Sequence, residues 1–316
     1  MPLKPKRLEP GKTIGVIAPA SAPGSDRLIK SGIKIMERRG YKVKMGKFSR
    51  AAKGFLAGTD KQRLSDLHAM FKDPEVDAII CLRGGYGATR LLKKIDYQLI
   101  RRNPKIFVGF SDITGLAMAF LKKANLVTFH GPMITSNIAH KNGRKYTLGT
   151  LMDMITKPEP FGSILPGSGI RRGKTLRRGR ASGALVGGNL SLLTTLLGTP
   201  WEFSTQNKIV FIEEVGEANY RIDRMFTHLL NAGKLADAAG IVLGYFSDTE
   251  IKPGPDDKPT QSLEEIFRDR LRSLNIPIAY GFPFGHEKIT ATLPVGVKAT
   301  LDASKGDLII EEKAVR

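Results

Sequence analysis

The sequence predicts an α/β protein. An N-terminal doubly wound domain on a parallel sheet, of the Rossmann or flavodoxin kind, is followed by a C-terminal α/β domain with a β-rich end. Three observations predict this. Strand-like apolar runs alternate with helix-period segments through the first 135 residues, the pattern of parallel strands joined by right-handed crossovers. A stretch with little apolar periodicity follows, and the alternation restarts near Ala184. The 316 residues, 41% hydrophobic and 25% charged, have the balance of a soluble globular enzyme. A chain of that length buries roughly three quarters of its unfolded surface, enough for two cores of moderate size.

Each element has a local cause. Thr13–Ala20 reads as an apolar strand, and the helix from about Ser25 to Arg38 carries Leu28, Ile29, Ile33 and Met36 on one face. Gly40 ends that helix, and Tyr41–Met45 returns as a strand. Thr59 caps a helix that runs to Phe71 and stops before Pro74. Strand Ala78–Leu82 enters the turn Arg83-Gly-Gly-Tyr-Gly, and a short helix with Leu91 and Leu92 follows. Strand Lys105–Phe110 meets Ser111 and an apolar helix to Lys123, and strand Val127–His130 closes a domain spanning residues 1–135. Residues 136–183, rich in Gly, Pro and Arg beyond Lys157, read as a linker and long loop.

The second domain, residues 184–316, opens with strand Ala184–Val186, helix Asn189–Leu197 and strand Lys208–Ile212. Helix Tyr220–Ala232 is strongly amphipathic, with Ile222, Met225, Phe226, Leu229 and Leu230 at i, i+3, i+4, i+7, i+8 spacing. Strand Ile241–Phe246, helix Leu263–Leu274 and β-rich residues from Ile278 complete it.

Composition narrows the function. One cysteine, Cys81, permits neither an intrachain disulfide nor a cysteine zinc cluster, and its apolar run reads as a buried strand. The N-terminus lacks a signal-peptide core and no apolar run approaches the ~18 residues that span a bilayer, so a cytoplasmic location with no membrane partner is expected. A net charge of +20 invites a nucleic-acid reading, but the basic runs, such as Arg171 to Arg180, are not interleaved with stacking aromatics. Specific nucleic-acid binding is not expected. A basic surface also favours acidic small ligands.

Two nucleotide motifs fail. Gly85-Tyr-Gly87-Ala-Thr-Arg90 begins like G-x-G-x-x-G, but Arg90 stands where the third glycine must let helix and strand pack closely. Gly173-Lys174-Thr175 resembles the end of a phosphate loop, yet no apolar strand leads into it. The five histidines include no i, i+4 pair and no H-E-x-x-H, so no metal and no cofactor is expected.

One constellation carries chemistry. Ser111 sits at a sharp strand-to-helix turn, where a hydroxyl rises above the sheet and the next N–H groups face the same space. The Asp112 N–H and the helix N-terminus would oppose an oxyanion. A serine there also serves as a plain helix cap. Ile113 replaces the second glycine of G-x-S-x-G, which disfavours an ordinary α/β-hydrolase. A nucleophilic serine needs a base, and the base needs an orienting acceptor. Glu213 ends an apolar strand, His286 lies in the loop Gly285-His-Glu, and His130 ends its own strand. Spacing alone does not separate the two histidines.

Seven motifs in order resemble the LD-carboxypeptidases, serine peptidase family S66. They are Arg83-Gly-Gly-Tyr-Gly, Gly109-Phe-Ser-Asp, Gly187-Gly-Asn-Leu, Gly198-Thr-Pro-Trp, Phe211-Ile-Glu-Glu-Val-Gly-Glu, Tyr220-Arg-Ile-Asp-Arg and Phe284-Gly-His. The resemblance spans Gly11 to about Leu301. It implies a catalytic triad of Ser111, Glu213 and His286, with Glu214 and Glu217 as neighbouring alternatives for the acid. Asp112 and Gly85 would form the oxyanion hole, and Arg83 and Asn189 would contact substrate. The implied reaction removes the terminal D-Ala of a murein tetrapeptide after an L-centre dibasic residue. An immunity-type peptidase acting on microcin C-like aminoacyl nucleotides is the alternative within the family, and a non-catalytic binder of anionic ligands the alternative outside it. The resemblance also points to a homodimer, for which the sequence offers no self-complementary face.

Overall fold

The computed structural model describes residues 1–165, 170–249 and 260–316, and two sheets organise them. The first contains β1 (Thr13–Ile17), β2 (Lys42–Met45), β3 (Val76–Cys81), β4 (Ile106–Val108) and β5 (Thr128–His130). These run parallel in the order β5-β4-β3-β1-β2. Winding reverses between β1 and β3, so the loops at their carboxyl ends part there and leave a crevice. Strands buried on both faces need unbroken apolar runs, and Ile79, Ile80, Phe107 and Val108 are all buried.

The crossover helices form where their end chemistry directs. Ser25 caps α1 (Asp26–Glu37) by accepting from the Leu28 N–H, and α2 (Asp60–Lys72) begins in a reciprocal Thr59–Gln62 capping box. A short α3 (Tyr97–Arg102), not expected from the sequence, is capped by Asp96. Beyond β4 a single tight turn, Ser111–Ile113, leads into α4 (Thr114–Ala119).

The stretch 136–183, expected as linker and loop, is largely structured, and that expectation is corrected. It holds α5 (Arg144–Thr156), β6 (Pro160–Ser163), β7 (Lys174–Arg177) and the start of β8 (Arg180–Asn189). Residues 166–169 of the expected loop lie outside the described residues. Two causes hid these elements. The buried face of α5 includes Thr147 and Thr150 among its apolar residues, which dilutes the helical period. β6 and β7 close the two edges of the second sheet, where short polar strands are usual.

The second half adds α6 (Leu190–Thr195), β9 (Ile209–Val215), α7 (Asn219–Asn231), β10 (Gly240–Ser247), α8 (Leu263–Leu271), β11 (Ile278–Tyr280), β12 (Leu293–Val295), β13 (Lys298–Asp302) and β14 (Asp307–Lys313). The second sheet runs β6-β14-β13-β8-β9-β10-β11-β7. Its centre, β8 to β11, is parallel, and the flanking strands are antiparallel. α7 buries Ile222, Phe226 and Leu229 as its periodicity requires. The β-rich end divides between sheets, because β12 pairs antiparallel with β5 and becomes the sixth strand of the first sheet. Pro294 is tolerated in β12 because an edge strand can spare one N–H. Among the described residues no helix is long and apolar enough to cross a membrane.

Candidate active site

Ser111 adopts φ +64, a left-handed conformation that costs a non-glycine residue free energy and recurs at functional turns. Extended Phe110 and then the turn Ser111–Ile113 produce this bend directly after β4. Two glycines make room for it. A Cβ on Gly109 would meet the Ile113 side chain at 2.8 Å, and one on Gly84 would meet Ser111 Cβ at 2.8 Å and Oγ at 3.0 Å. Gly84 therefore lies directly against the serine.

The loops after β1 and β3 are fastened together beside this turn. The Tyr86 N–H donates to Ser21 Oγ at 3.0 Å, and the Ser21 N–H donates to the Gly84 carbonyl. Gly85 sits at φ +106 with Ser21 Oγ where a Cβ would fall. Asp112 is buried and accepts the Ala88 N–H at 2.7 Å. Burial pushes its carboxyl up to about 6, against the pull of the Ala88 and Gly87 N–H groups and Arg63. Among the described residues, the backbone N–H groups of Gly85 and Asp112 have no protein acceptor. Arg83 is half-buried at the same end of the sheet, its guanidinium about 4.0 Å from the space beside Gly24.

Sequence reasoning missed Arg63, which holds these loops from below. Its guanidinium is fully buried and donates to the carbonyls of Pro19 (2.5 Å) and Gly87 (2.7 Å) and to Asp60 (2.6 Å). The available signal was an arginine at i−4 from Leu67, on the apolar face of an otherwise amphipathic helix.

From the second half come the acid and the imidazole. Adjacent residues of β9 point to opposite faces, so Glu213 and Glu214 part company. Glu213 is fully buried, and its Oε2 lies 2.6 Å from His286 Nδ1. Gly285, at φ +116, makes that approach possible: a Cβ there would fall 3.0 Å from Glu213 Cβ and 3.1 Å from its Oε2. Glu214 instead accepts from the Asn189 side chain, the Ser191 N–H and hydroxyl, and the Val215 N–H. Its carboxyl is pushed up by burial, which those donors oppose. Glu217 faces Arg221.

Asn189, expected to contact substrate, takes part in the same network. Asn189 is buried, its Oδ1 caps α6 by accepting the Leu192 N–H, and its Nδ2 donates to Glu214. These bonds tie it into the β8–β9 framework.

His286 is half-buried. Burial depresses its pKa, but the charge and hydrogen bond of Glu213 outweigh this and leave it above the ordinary histidine value. Its ring packs on Phe110, the residue before Ser111, with centroids 4.8 Å apart. No hydrogen bond joins Ser111 to His286 among the described residues; such bonds often tighten only with substrate bound. His130, the other histidine open from spacing, is fully enclosed between Phe110 and Phe211. Burial, with a smaller contribution from His286 against the pull of Glu213, drives its pKa down to about 4, so it is neutral near pH 7. A cleft of about 480 Å³ opens on Phe110 and His286, rimmed by His140, Lys141, Glu287 and Lys288. A larger one of about 620 Å³, between α5 and β6, shares Lys141 with it but contains none of the expected catalytic residues.

The arrangement suits acyl transfer: a hydroxyl on a strained bend, N–H groups beside it with no protein acceptor among the described residues, and a carboxylate-bound imidazole packed on the residue before that hydroxyl. Comparison with known proteins agrees with that chemistry. Residues 14–131 match the LD-carboxypeptidase N-terminal domain, and residues 182–301 match the LD-carboxypeptidase C-terminal domain. A probable murein peptide carboxypeptidase of Bacillus subtilis is 40% identical over 98% of this chain and 94% of its own. The microcin C7 self-immunity protein of Escherichia coli is 29% identical over 99% of this chain and 96% of its own. The crystal structure of a muramoyltetrapeptide carboxypeptidase from Oxalobacter formigenes superposes with a TM-score of 0.83 at 32% identity, covering 95% and 99% of the two chains.

Proposed function

Because this chain belongs to the LD-carboxypeptidase family of serine-type carboxypeptidases, we propose that it releases the terminal D-Ala of a murein tetrapeptide through Ser111, His286 and Glu213. The observation that carries the reading is the 2.6 Å contact between His286 Nδ1 and Glu213 Oε2, with the imidazole ring packed on the residue before Ser111. On this reading Nδ1–H donates to the Glu213 carboxylate and Nε2 is the base.

In the proposed reaction Nε2 takes the Ser111 proton as Oγ attacks the carbonyl of the L-centre residue. The N–H groups of Asp112 and Gly85 receive the oxyanion. Collapse breaks the amide bond while His286 protonates the departing D-Ala nitrogen. Water, deprotonated by the same imidazole, then cleaves the acyl-enzyme and returns the proton to Ser111. Arg83 at the carboxyl end of β3 is proposed to bind the terminal carboxylate. On this reading the substrate is recycled wall peptide met in the cytoplasm.

Incubation with a murein tetrapeptide, with mass detection of free D-Ala, tests the reading. Turnover is expected, with Ser111→Ala losing about 10⁴-fold or more in kcat. A chain that leaves tetrapeptide intact but hydrolyses an aminoacyl-nucleotide conjugate would instead follow its immunity-protein relative. Binding of either ligand with no turnover would make it a non-catalytic member of the fold.

A further inference from the structure

We propose that α5 is a positioning element of the active site, in which buried Thr147 and Thr290 form a hydrogen-bonded relay that seats the His286 loop on Glu213. The catalytic consequence rests on the reaction proposed above; the relay itself rests on geometry.

The relay has two links. The Thr290 N–H donates to Thr147 Oγ1 at 3.0 Å, and the Gly285 N–H donates to Thr290 Oγ1 at 3.2 Å. A parallel strut joins the Thr292 N–H to Thr150 Oγ1 at 3.3 Å, and the Thr150 hydroxyl donates to the Thr147 carbonyl at 3.1 Å. Thr147, Thr150 and Thr290 are all buried. The loop is also backed sterically, since the Lys288 carbonyl lies 2.0 Å from where a Gly143 Cβ would stand. The relay thus holds the loop at Gly285 and Thr290, on either side of His286. Gly285 is the residue that presses on Glu213, so the relay ends where the imidazole–carboxylate geometry is set.

Packing alone does not account for these threonines. A buried helix face built only for contact is better served by Leu or Ile, because an enclosed hydroxyl must be hydrogen-bonded. Here the hydroxyl oxygens accept from N–H groups of a loop that lacks a strand partner. An imidazole base must be held to within about 0.5 Å of its working geometry. Fixing the segment around it supplies that constraint.

The test uses the full chain with Thr147→Val, which deletes the acceptor at nearly constant shape, and Thr147→Ser, which restores it. Thr156→Val is the control, because that hydroxyl donates only to Met152 O within α5. The His286 imidazole is titrated by NMR without substrate, its signal assigned with His286→Gln. In wild type, Thr147→Ser and Thr156→Val it should titrate above the ordinary value of about 6.5. In Thr147→Val it should fall toward that value. With murein tetrapeptide, kcat should drop roughly tenfold in Thr147→Val at little change in KM and recover in Thr147→Ser. If Thr147→Val does not fold, Thr290→Val, which removes the acceptor for Gly285, carries the same expectations. A wild-type His286 titration in the valine variant overturns the relay, whatever its activity. Should the wild type release no D-Ala, the reaction fails while the titration still decides the relay.

Discussion

In the proposed reaction His286 acts as a base only when neutral, so activity should rise with pH through its folded pKa. Burial pulls that pKa down and Glu213 more than restores it, which puts the midpoint of the acid limb above the ordinary histidine value. Glu213→Gln removes the charge that raises it. The kcat/KM profile of that variant should therefore move its acid limb to lower pH, with kcat down by about 10⁴-fold as for other orienting carboxylates. An unmoved limb would mean that another group sets the profile. The sign for stability runs the other way: a raised imidazole pKa stabilises the fold fully below about 6.5, and the contribution is lost as pH climbs through the folded value.

α2 does more than cover the first sheet. Its capping box fixes the first turn, and that turn delivers Arg63 beneath the loops after β1 and β3. Arg63→Met keeps the stem but leaves the buried carbonyls of Pro19 and Gly87 without this donor, while Asp60 keeps Arg90. Urea unfolding should show a loss of about 2–5 kcal/mol, from about 1–3 kcal/mol for each buried carbonyl left without a donor. Activity should fall with it, because Gly84 and Gly85 belong to the same loop. A loss below about 1 kcal/mol would show that water or relaxation satisfies those carbonyls.

The two sheets share chain, with β12 from the second half completing the first sheet and the Asn189 N–H donating to Thr114 Oγ1 at the head of α4. Unfolding should therefore be one transition, with Trp201 fluorescence and far-UV circular dichroism superimposing in urea; separated curves would mean the halves unfold independently. The interior also sets the acid limit. His130 is neutral in the fold and titrates near 4, whereas in the unfolded chain it protonates near 6.5, so stability is lost as pH falls between those values. The loss is on the order of 3 kcal/mol. His130→Gln should flatten the dependence of the urea midpoint on pH over that window.

Short-range chemistry made much of this protein legible in its sequence. Apolar runs, the Thr59 cap, the stripe on α7 and the bend at Ser111 each depend on residues a few positions apart, and their motif order carries the family. Those features determined the α/β class, the doubly wound first half and the candidate residues Ser111, Glu213 and His286. Tertiary structure alone decided which partners meet. Glu213 and His286 are 73 residues apart, and Thr147 and Thr290 are 143 apart. Strand register turned Glu213 toward the imidazole and Glu214 toward Asn189, and packing enclosed His130 between two rings. An apparent linker became the helix that braces the histidine, because its buried threonines answer N–H groups whose positions exist only once both halves have folded.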